Sequence, residues 1–81
     1  MPNAIFRAAV DQLEFLGDIF SLGIVKKGVT KVGATPDTVT REQMLSALDA
    51  HILPAVKSFV GPDKARSVKR DLTRVVSQAG A

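Results

Sequence analysis

Gly61-Pro62 stands between two stretches whose apolar residues recur every three or four positions, and this leaves little room for anything but a helical fold. Upstream, Leu45, Leu48, Ile52, Val56 and Phe59 share one helical face. Downstream, Ala65, Val68, Leu72, Val75, Val76 and Ala79 fall within an arc of roughly 100°. Glycine is permissive at a helix boundary, and proline at the first helical position gives up an N–H that would have no partner anyway. The dipeptide therefore ends one helix and starts the next, and so short a turn makes the two helices neighbours.

The upstream helix also has a marked start. Thr40 followed by Gln43 reads as a capping box, with Val39 and Met44 spaced as a hydrophobic staple. Pro54 lies inside the pattern and removes one backbone hydrogen bond, so a bend is expected between Ala50 and Pro54. Nearer the N-terminus, Asn3 is placed to cap a helix running to about Lys27, with Gly28 as its left-handed end. The intervening segment 28–39 has β-type residues in Val29, Thr30 and Val32 and has room for a short extended piece. The resulting expectation is an all-α three-helix bundle, with helices at about 4–27, 41–60 and 62–79, forming one helical domain over residues 1–81.

At 81 residues, such a domain buries only about 60% of its unfolded surface, so association would add stability. An apolar fraction of 46% with 23% charged residues excludes a disordered chain. The absence of cysteine rules out disulfides, thiolate chemistry and Cys-ligated metals, and is compatible with a cytoplasmic setting. Asp11, Glu14 and Asp18 interrupt the apolar N-terminal run, which fits neither a secretory signal nor a membrane span.

Charge is uneven along the chain. The first helix sets Arg7 against Asp11, Glu14 and Asp18, whereas the last carries Lys64, Arg66, Lys69, Arg70 and Arg74 against Asp63 and Asp71. Lys26, Lys27 and Lys31 form a second basic cluster. A basic helical face can neutralise phosphates, so the last helix is a candidate nucleic-acid surface, although it has no aromatic residue to stack on bases. The same stripe can equally be solvated, or pair with the carboxylates of the first helix within the chain or across a dimer. A helix-turn-helix fits poorly, because the upstream helix is too long and Lys57 occupies the position where that motif needs a small residue.

Other motifs fail at specific residues. In Gly28 to Thr35, Ala34 fills the slot where a phosphate-binding loop needs lysine. In residues 32–43, Val32, Ala34 and Pro36 occupy calcium-ligand positions and Gln43 replaces the bidentate glutamate. Asp11, Glu14 and Asp18 are spaced to share a helical face, but no Glu-x-x-His accompanies them. His51 is the only imidazole and has no evident nucleophile beside it. No catalytic residue, cofactor or metal ligand is therefore assigned.

The first helix is more apolar than one neighbour requires, over roughly two-thirds of its circumference. Phe6, Leu13, Phe20 and Ile24 form one face, and Phe15, Ile19 and Leu22 form another. The second face is the candidate protein interface, for a homo-oligomer or an accessory subunit. The expected function is thus non-enzymatic interaction, with nucleic-acid binding by the basic helix as the alternative.

Overall fold

The structure, a computed structural model, describes residues 2–79, and every regular element among them is helical. The elements are α1 (Ala4–Gln12), α2 (Asp18–Lys31), α3 (Arg41–Ala47), α4 (Leu53–Val60) and α5 (Pro62–Gln78). A π-helical stretch, Leu48–Ile52, joins α3 to α4 as one continuous rod, so the described residues form four rods.

The extra rod arises because the expected first helix is broken. Leu13 ends α1, residues Glu14–Leu16 form one 3₁₀ turn, and Gly17 sits at φ 98°, ψ 146° before α2 begins. That backbone region is almost exclusive to glycine. Polar periodicity runs through the break undisturbed, so the sequence alone reads as a single helix. The break also resets the buried face. In α2 the core side is Ser21, Val25, Gly28 and Val29, while Phe20 turns outward. Ser21 is completely buried, with its hydroxyl donating to the Asp18 carbonyl at 3.1 Å.

Gly28 does not end this helix. It lies inside α2 against Ile52, so close that a Cβ there would stand 2.9 Å from Ile52 Cγ1. The helix ends one turn later at Gly33, φ 81°. There the Gly33 N–H donates to the Thr30 carbonyl and the Ala34 N–H to the Val29 carbonyl, both at 3.0 Å. These two bonds make a Schellman motif, with Ala34 and Val29 both in the core. The short extended piece for which 28–39 had room is absent among the described residues. Its first four positions are helical, and the rest forms a turn in which the Val39 N–H donates to the Thr35 carbonyl at 2.9 Å.

Asn3 holds this connector. Its Oδ1 accepts from the Phe6 N–H at 3.0 Å, as a helix cap should. Its Nδ2 donates to the Val39 carbonyl at 2.8 Å, and its backbone N–H donates to the Pro36 carbonyl at 2.9 Å. One side chain thus caps α1 and fixes the approach to α3. The capping box is formed as expected. Thr40 Oγ1 accepts from the Gln43 N–H at 3.1 Å, and Gln43 Oε1 accepts from the Thr40 N–H at 2.9 Å.

Pro54 leaves the turn before it one hydrogen bond short, and the chain responds with a π turn. The Leu53 N–H reaches back five residues to Leu48. The added residue rotates the following face, so that Phe59, expected in the core, is 55% exposed. Gly61, at φ 85°, and Pro62 form the boundary anticipated for them. Phe6, Leu13, Met44, Leu48, Ile52 and Leu72 are fully buried at the centre, and α5 packs against α1 and α4. Arg41 donates from Nη2 to the Ala79 carbonyl at 3.0 Å, tying the start of α3 to the end of α5.

Candidate interaction surface

The outer side of α2 remains uncovered. Ile19 is 86% exposed, with Phe15 at 50% and Leu22 at 48%. Ile19, Leu22 and Lys26 follow at spacings of three and four residues, which aligns them along one stripe of the helix. Phe15 precedes the Gly17 break and is held separately, beneath the Lys64 ammonium at 5.2 Å from its ring centroid. That distance lies within cation–π range.

Phe20 and Phe59 enlarge the apolar area beside this stripe. Their rings are 5.5 Å apart and tilted by 58°, a favourable aromatic arrangement that joins the start of α2 to the end of α4. Next to them a groove of about 430 Å³ runs between α2 and the π turn. The groove is open because Gly23, Gly28, Ala50 and Ala55 present little side chain, and Lys27 and Lys31 also line it. His51 lines the groove and is partly buried. Sequence periodicity had placed Phe20 and Phe59 inside. Gly17 is the signal for Phe20, and Pro54, with the π turn before it, is the signal for Phe59.

The exposed area does not reflect a loosely packed chain. The surface of 4782 Å² is close to the roughly 4,700 Å² typical of a compact monomer of this mass. The apolar side chains are outside although the core residues are buried.

The basic residues of α5 are placed differently. Lys64, Arg66, Lys69, Arg70 and Arg74 are all exposed, but most meet nearby carboxylates. Arg66 lies 3.6 Å from Asp63, Arg70 and Arg74 each lie 3.6 Å from Asp71, and Lys69 lies 3.5 Å from Asp49. Such surface pairs stabilise little, but they reduce the field available to a polyanion. Asp11, Glu14 and Asp18 take no part in these pairs, so of the readings open to the acidic stripe, pairing with the arginines within the chain is not seen among the described residues. The break at Gly17 also separates Asp11 and Glu14 from the helix that carries Asp18. Among the described residues, no group of three His, Asp or Glu side chains is arranged to hold a metal ion, and no helix is long and apolar enough to cross a membrane.

Comparison with protein-family models, with curated proteins and with solved structures gave no match for this chain.

Proposed function

We propose that this chain is a non-enzymatic interaction protein, a small self-associating or accessory subunit that docks through the outer face of α2 and the 3₁₀ turn before it, with Phe15, Ile19 and Leu22 as anchors. The observation that carries the reading is the position of Ile19. A β-branched apolar side chain stands 86% exposed on a regular helix, flanked by four other exposed large apolar residues, in a molecule whose own core is closed. Exposed large apolar side chains gathered on one side of a folded chain favour a docking site, and buried aromatic and aliphatic anchors dominate such contacts.

Nucleic-acid binding through Lys64, Arg66, Lys69, Arg70 and Arg74 is the second reading, favoured by the exposure of all five side chains along α5. It ranks lower because Asp49, Asp63 and Asp71 already answer four of them. Two measurements separate the readings. For the interaction protein, light scattering at high micromolar concentration gives a mass above 8.6 kDa, or a pull-down recovers a partner, and Ile19→Asp abolishes the association. For the nucleic-acid binder, duplex affinity falls steeply with added salt and weakens in Arg70→Ala and Arg74→Ala. A monomer that recovers no partner contradicts the first reading, and absence of duplex binding at low ionic strength removes the second.

A further inference from the structure

We infer that the partner of the α2 face is a second copy of this chain, the two α2 helices packing antiparallel about a two-fold axis at Leu22. The inference rests on the interaction reading above and narrows it to one occupant. Ile19, Leu22 and Lys26 occupy one stripe at the spacing that a helix–helix seam requires. Asp18 opens the helix at one end of that stripe, and Lys26 stands at the other. All four side chains are exposed.

The charge pattern selects both the occupant and the direction. Reversing α2 about Leu22 carries residue 18 onto the level of residue 26, because the two positions are equidistant from the axis. Each Asp18 then meets the partner's Lys26, and the lysine stem covers the partner's Ile19 while its ammonium reaches the carboxylate. The arrangement occurs twice by symmetry, as an isologous interface demands. A parallel pair would instead set Asp18 against Asp18 and Lys26 against Lys26. An anionic lipid surface would attract Lys26 but meet Asp18 and Glu14 on the same part of the molecule. Gly23, where an added Cβ would meet nothing within 4 Å, keeps the flank of the seam low enough for close approach. A single 14-residue helix gives a contact smaller than a standard interface, so the dimer is weak and concentration-dependent.

Charge reversal tests the pairing by sedimentation, with helical content by circular dichroism as the folding control. Asp18→Lys and Lys26→Glu each place like charges together twice, and each weakens dimerisation roughly tenfold or more at low salt. The double variant restores wild-type association. An equimolar mixture of the two single variants forms heterodimers, since both pairs are then attractive. The chain lacks cysteine, so Thr30→Cys offers a unique site for a spin label. The antiparallel arrangement puts the two labels about 24 Å apart along the helices, from 1.5 Å per residue, whereas a parallel pair brings them to roughly 10 Å. A monomeric wild type, single variants that dimerise normally, a double variant no better than either single, or the short label distance each overturns the inference. If the wild type is monomeric but a pull-down recovers another protein that Ile19→Asp loses, self-pairing is wrong while the interaction reading stands. If Ile19→Asp alters neither mass nor capture, both are wrong.

Discussion

Asn3 links three segments through one short side chain, and its loss should be felt beyond the end of a helix. Capping alone is worth about 0.5–2 kcal/mol, and each connector carbonyl left without its donor adds to the loss. Asn3→Ala is expected to destabilise the fold by about 1–3 kcal/mol, seen as a lower urea midpoint with unchanged slope. Two glycines of α2 give opposite expectations at the same scale. Gly28 touches Ile52, so Gly28→Val forces the helix away from the π turn at a cost of about 1–3 kcal/mol. Gly23 faces open space, so Gly23→Ala relieves the helix of its weakest former and raises stability by roughly 0.5–1 kcal/mol. Thermal melts of the two variants moving in the same direction would contradict this packing.

At the level of elements, Gly17 decides which face of α2 meets the core. Placing a Cβ at φ 98° strains the backbone, and Gly17→Ala should cost about 1–3 kcal/mol, measured by chemical denaturation. Variants that melt like the wild type would mean that the break is not fixed by this residue. The helices on either side of Gly61-Pro62 and the capping box at Thr40 were legible in the sequence, because each rests on local chemistry with one physical solution. The break at Gly17 and the run of α2 through Gly28 were not. A glycine within a helical pattern reads as tolerated or as a terminus according to tertiary contacts, here Ile52 against Gly28, that a linear reading does not contain. The exposure of Phe20 and Phe59 followed from the same gap, since the π turn at Leu48–Ile52 and the break at Gly17 each rotate a face away from its extrapolated position. Ile19 and Leu22 lie outside as their helical spacing implied, and Phe15 joins them by way of the turn before α2.

For the whole molecule, what matters is that a closed core coexists with an uncovered apolar helix. Four rods bury Phe6, Leu13, Met44, Leu48, Ile52 and Leu72 without help from α2's outer side, so removing an apolar group there should spare the fold and cost only association. The basic α5 differs, because its exposed Arg66, Arg70 and Arg74 each lie 3.6 Å from Asp63 or Asp71 on the same helix. The most direct test of the α2 face is molar mass across a concentration series for the wild type and Ile19→Asp, both with the same helical content by circular dichroism. The mass of the wild type is expected to rise with concentration towards twice 8.6 kDa while the variant stays monomeric. Equal masses for the two proteins at every concentration would contradict it.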